Sequence, residues 1–253
     1  MRYLILLSIF LSCFVTKAQF VIEKKEIPDS SFTIPFFGAS YAFQWTGADM
    51  AERFGPNSNV GGSFAVKTKT NWYYGFKGNF IFGAKVTDTK VLRNIITSDG
   101  YVIDNEGRLT DVYLGERGSS FFLTGGRFFN VMAPNRNSGI LVYMGLGMLQ
   151  HKISIKFQDD IASLTDEYKK GYDRFSVGYA INGFAGYLFM SKNRLINFYG
   201  GFDYTQGWTK SLRKFNYDTQ ETDTETHNNI LYGFRVGWII RLNKRQAEEY
   251  YYH

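Results

Sequence analysis

The clearest regularity in the chain is a period of two. From Trp72 to Val86 the even positions are Trp72, Tyr74, Phe76, Gly78, Phe80, Phe82, Ala84 and Val86, while Gly75, Lys77, Asn79, Gly83 and Lys85 stand at odd positions. Successive side chains of a β-strand point to opposite faces, so this alternation predicts a strand with one greasy face and one small, polar or cationic face. Its length and apolar weight suit a strand that crosses a membrane.

The same pattern recurs along the chain. In Phe36–Thr46, Phe37, Ala39, Tyr41, Phe43 and Trp45 share one face, opposite Gly38, Ser40, Ala42 and Gln44. Further strands are expected at about 60–69, 119–129, 140–153, 175–190, 195–206 and 230–242, the alternation being weakest in 119–129. The eight strands are joined by connectors that alternate long and short; the longest cover about 87–118, 156–173 and 209–229. That rhythm is the mark of an antiparallel up-and-down barrel with both termini on one side.

Alternation alone leaves open which face is inside. Volume decides it, because an eight-stranded barrel has room only for packed side chains. Phe, Tyr and Trp from nearly every strand would overfill that space, so the Gly/Ser/Ala/Asn face is expected inside and the aromatic face in lipid. The reading is therefore an all-β, eight-stranded antiparallel up-and-down transmembrane β-barrel over residues 36–242.

The first residues fit an exported protein. Met1–Ala18 combines Arg2, a short apolar run and small residues at Thr16 and Ala18, as a secretory signal peptide does. A competing reading makes Cys13 a lipoprotein cysteine, but Phe10 is bulky for that motif and the apolar run continues past Cys13. Residues 19–35, punctuated by Pro28 and Pro35, form a periplasmic lead-in, and 243–253 a periplasmic tail. Cys13 is the only cysteine, so the mature chain forms no internal disulfide.

Charge adds little. The net charge is +6, and removal of Arg2 and Lys17 with the leader lowers it to +4. No Lys/Arg run is long enough for a basic patch, so no nucleic-acid partner is expected. No Gly-rich phosphate loop, zinc-ligand cluster or dinucleotide fingerprint appears, and no cofactor or metal is expected.

On these residues the chain resembles the small OmpA/OmpX-type outer-membrane β-barrel proteins. Arg235, Gly237, Ile240 and Leu242 also resemble the barrel-assembly signal of a last strand, although the chain continues beyond it. The Ala-Gln leader end and the Tyr- and Phe-rich strands are similar to those of Bacteroidota-type outer-membrane proteins. The resemblance implies an integral protein of the cell outer membrane, with long loops outside and termini in the periplasm.

Candidate chemistry falls in four places. Lys77, Arg127, Asp203, Arg235 and Arg241 are expected to face the lumen, with Asp203 and Arg235 on adjacent strands able to pair. They form either a packed polar core or a conducting path, and the small barrel favours the core. His151 is expected at the inner rim, as a solvated side chain or as the base of a rim active site. The acidic run Asp218–Glu225 reads as a solvated loop or as oxygen ligands for divalent cations. Tyr250, Tyr251 and Tyr252 give the tail a docking surface for a partner, against the alternative of a frayed end.

Together these features imply a non-enzymatic integral barrel, a structural or accessory subunit of an outer-membrane complex of secretion or barrel-assembly type. It would act through its loops, its contact with outer-membrane lipids and its tail. A surface lipid-modifying or proteolytic enzyme with a rim active site, and a narrow pore, are the alternatives.

Overall fold

The computed structural model describes residues 33–97, 101–103, 106–131, 137–157, 166–191 and 196–242. The expected signal peptide, most of the lead-in, and the tail with Tyr250, Tyr251 and Tyr252 lie outside the described residues.

Eight strands form the wall: β1 Ile34–Ala48, β2 Asn57–Lys67, β3 Trp72–Gly83, β6 Val112–Phe129, β7 Gly139–Phe157, β8 Ser176–Met190, β9 Asn197–Ser211 and β10 Thr226–Arg241. Between β3 and β6, Val102–Ile103 (β4) and Leu109–Thr110 (β5) make a small separate hairpin. Each wall strand pairs antiparallel with its neighbours, and β1 closes the ring by pairing with both β2 and β10. Closure satisfies the backbone of the wall and removes the sheet edges.

The strands are longer on the long-loop side than alternation implied. β6 begins at Val112 and β7 runs to Phe157, so part of the expected loop 87–118 is strand, and β9 and β10 likewise extend into 209–229. These extensions carry mixed polar and apolar residues on both faces, which hides the period of two.

The interior is more apolar than expected. Towards the short turns, Phe36, Tyr73, Phe128, Tyr143, Phe184 and Ile239 pack into one buried layer with Tyr199 against it. Tyr73 stacks on Tyr143 with ring centroids 5.2 Å apart, and Tyr143 stacks on Phe184 at 5.0 Å. Inward glycines make room for these rings: a Cβ on Gly237 would lie 2.1 Å from the Tyr199 ring, and one on Gly126 2.5 Å from Tyr143 Cβ. Towards the long loops, Met50, Phe54, Ile81, Phe122, Leu149 and Leu231 are among the residues of a second buried layer.

Candidate functional site: a sealed lumen, its cap and its lipid face

Between the two apolar layers lies a polar core centred on Asp203, whose side chain is fully buried. Arg235 donates to it twice, Nε to Oδ2 at 3.0 Å and Nη2 to Oδ1 at 3.3 Å. Lys77 Nζ donates to Oδ2 at 3.2 Å, and Gln44 and Asn182 donate to Oδ1 at 3.4 and 3.3 Å. One carboxylate therefore faces two cations and two amides. The third Arg235 nitrogen, Nη1, donates to Ser40 Oγ at 2.9 Å and Asn79 Oδ1 at 3.2 Å, and Lys77 also donates to Tyr143 OH at 3.3 Å. Lys77 Nζ sits 5.2 Å from the Tyr143 ring centroid and 5.6 Å from that of Phe122. Buried charge is tolerated only when so paired and hydrogen-bonded.

Of the five residues expected in a lumen network, the structure brings together Lys77, Asp203 and Arg235. Arg241 is buried at the short-turn end, where Nη2 donates to Ser191 O at 2.9 Å. Arg127 is a correction: it is exposed on the outer wall with its guanidinium 5.6 Å from the Trp72 ring centroid. In β6 the inward positions are Phe122, Thr124 and Phe128, so the odd-numbered Arg127 points out. Gly125 and Gly126 carry no side chain to mark the face.

His151 is also a correction. It faces inward but is 1 % exposed, with Phe54 edge-on at 5.6 Å and Thr209 Oγ1 3.5 Å from Nε2. It is a core residue beneath the loops, because β7 continues six residues past it and the chain after β1 folds over it.

That cover draws on the long connections. The short helix Asp49–Arg53 follows Ala48, whose φ is 52°; its Met50 and the extended residue after it, Phe54, fill the mouth. Arg53 Nη2 lies 3.3 Å from Asp223 Oδ2 and 3.0 Å from His227 Nε2, which itself lies 2.8 Å from Asp223 Oδ2. Arg174 bridges Asp88 and Asp218, Arg213 grips Asp173 with two nitrogens, and Arg93 donates twice to the Asp218 carbonyl. Tyr168, Tyr172 and Tyr217 pack together beside them. The acidic run 218–225 was expected to be solvated; instead Asp218 and Asp223 are tied into this cap. Asp223 is held below the usual carboxylate range: burial opposes its charge, but His227 and Arg53 outweigh that. Burial pushes the Arg53 guanidinium down, with Arg174 adding to the effect.

Inside, a void of about 10 Å³ lined by Phe36, Ser40, Tyr73, Lys77, Tyr143 and Tyr199, among others, holds at most one water. The larger recess, ≈ 760 Å³, is on the outer wall, where Ala39 and Gly200 lie low among Tyr41, Phe198, Val236 and Trp238.

The outer wall decides the environment. On β7 the outward residues Ile140, Val142, Met144, Leu146 and Met148 are all exposed, Leu146 to 70 %; on β6 Leu123 is 74 % exposed. Phe37, Tyr41, Phe76, Phe80, Phe202 and Phe234 continue the exposed band around the ring. Nine residues from Ile140 to Met148 match the length a tilted strand needs to cross the hydrocarbon. A water-soluble protein does not expose an apolar belt of this extent. The chain is a transmembrane β-barrel.

Its eight wall strands close an antiparallel up-and-down ring, each beside its neighbours in chain order. Among solved structures it is similar to Neisserial surface protein A (NspA), with 11% identity and a TM-score of 0.43 over 82% of this chain and 97% of that one. It is also similar to the outer membrane protein OprG from Pseudomonas aeruginosa, with 12% identity and a TM-score of 0.32 over 83% of this chain and 96% of that one. No protein-family model and no curated protein sequence matches the chain.

Proposed function

We propose that this barrel is a non-enzymatic outer-membrane protein that works through its surfaces, as a structural or accessory subunit of a larger outer-membrane assembly. The observation that carries the reading is the filled lumen: among the described residues, two apolar layers, a charge-paired core and a loop cap leave no path for a solute. What remains available to partners is the outer wall, the loops and the tail. Exposed apolar side chains on the long connections support this: Ile103, Leu109, Leu212 and Phe215 all face outward from the protein. His151 and Thr209 are sealed from substrate, which argues against a rim enzyme built on them.

The long loops face outside and the termini face the periplasm, because eight crossings return the chain to the side on which export delivers it. Two measurements test the proposal. With Glu225→Cys, a membrane-impermeant thiol reagent should label intact cells; with Thr70→Cys, in a short turn, it should label only after the outer membrane is breached. Gentle detergent extraction should copurify a defined stoichiometric partner, and removal of residues 243–253 should release it. Recovery of the barrel alone under several mild detergents would remove the accessory role.

A further inference from the structure

β6 and β7 stand taller than the rest of the wall. β3 ends at Gly83 opposite Glu116, and β8 begins at Ser176 opposite His151, so beyond those points β6 and β7 pair only with each other. Along the outward face of β6 and β7 runs a ladder of directly opposed pairs, Phe121 with Met148, Ser119 with Gln150, Arg117 with Lys152, Gly115 with Ser154, and Tyr113 with Lys156, of which the last two lie wholly beyond the neighbouring strands. Phe121 and Met148 are the last apolar pair of the belt. Above them Gln150 Nε2 donates to Ser119 Oγ at 2.6 Å, and above that come the cations.

Arg117 and Lys152 are like charges at directly opposed cross-strand positions, an arrangement that is destabilising by itself. The adjacent carboxylate relieves it only in part: Glu116 lies within electrostatic reach of Arg117, but it points inward, is buried, and accepts from Asn57 Nδ2 at 3.0 Å. Among the described residues no acidic side chain forms an ion pair with Arg117, Lys152 or Lys156. Arg117 Nη1 donates to the Glu116 carbonyl at 2.7 Å and passes 3.8 Å from the place a Gly115 Cβ would take, so Gly115 leaves its guanidinium room on the outer face.

Height supplies the missing partner. Four residues separate Phe121 from Arg117, about 13 Å along a strand and about 10 Å vertically at the usual barrel tilt. Headgroups begin where the hydrocarbon ends, and long cationic side chains reach back towards them. We propose that Arg117 and Lys152, with Lys156 above them, form a binding site for the phosphate of a membrane lipid in the leaflet on the long-loop side. The phosphate would lie between the two cations, and its acyl chains would run down over Phe121, Leu123, Leu146 and Met148. This goes beyond the accessory role and stands without it, needing only the membrane reading.

The test is native mass spectrometry of the full barrel released from nanodiscs of equal phosphatidylglycerol and phosphatidylcholine. The wild type should retain phosphatidylglycerol in preference to phosphatidylcholine. Arg117→Gln and Lys152→Gln should each lower that preference about fivefold, in keeping with a lysine or arginine near a charged membrane surface. Arg127→Gln, at the opposite rim, should leave it unchanged. A heat-modified gel shift identical to wild type would show that the variants are folded. Equal retention of both lipids by the wild type, or an equal loss with Arg127→Gln, would overturn the proposal. Displacement of phosphatidylglycerol by millimolar inorganic phosphate would mean a site for free anions and would overturn its assignment to a lipid.

Discussion

Arg235 and Asp203 meet in a two-nitrogen, two-oxygen pair at 3.0 and 3.3 Å, sealed between two apolar layers, and Lys77 shares the same carboxylate at 3.2 Å. The three side chains come from β10, β9 and β3; Arg235 and Asp203 stand on neighbouring strands, and Lys77 ties them to the far side of the ring across the lumen. A single anion is shared by two buried cations, which leaves one positive charge in excess and makes the three positions unequal.

Asp203→Asn should therefore be the most damaging single change in this core. It strands two cations, and breaking a buried pair costs about 3–5 kcal/mol. Lys77→Met should cost less, because Arg235 still neutralises Asp203. Combining the two should cost less than the sum of the singles. Urea titration of the barrel refolded in vesicles, followed by gel mobility, would measure all four corners. Equal costs for Asp203→Asn and Lys77→Met would show that the carboxylate is not shared.

Phe80 points into lipid and is 51 % exposed, while its neighbour Asn79 faces the core, donating to Ser120 and accepting from Arg235. Phe80→Arg should cost about 2–4 kcal/mol if it lies near the bilayer middle, and Phe80→Leu should be close to neutral. The same titration checks this. Indifference to arginine at position 80 would place that face away from hydrocarbon.

The cap should loosen in acid. Asp223 titrates below its unfolded value of about 3.9, so its contribution is full above that value and is lost as pH falls through the folded pKa. Amide exchange in 212–225, corrected for its intrinsic rate, should accelerate below about pH 4 while the β6 and β7 amides stay protected. Asp223→Asn should show fast exchange already at neutral pH and lose the acid step. An unchanged profile in that variant would mean that the loop is held by other contacts.

Eight strands, their antiparallel order and the outward set of aromatics were legible in the sequence because a period of two survives wherever one face meets lipid. The inner rings were not. In Phe36-Phe37, Tyr73-Tyr74, Phe121-Phe122 and Phe128-Phe129 adjacent aromatics face both ways, so a greasy run masks which ring is inside. The pairing of Asp203 with Arg235 was readable from inward positions on neighbouring strands. The place of Lys77 beside them was not, since it reaches across the lumen rather than along the sheet. The cap was the least legible part. A polar loop has the same composition whether it is solvated or folded, and only the long-range contacts of Arg53, Arg174 and Arg213 decide which.

Single-channel recording of the full-length barrel in a planar bilayer tests the sealed lumen most directly. A lumen closed by two apolar layers and a paired core should pass no stepwise current over the physiological range of potentials, and Asp203→Asn in folded form should remain silent, because the apolar layers stay in place. Discrete unitary conductance from the wild-type barrel, altered by substitutions at Lys77 or Asp203, would contradict the account and make the polar core a conduction path.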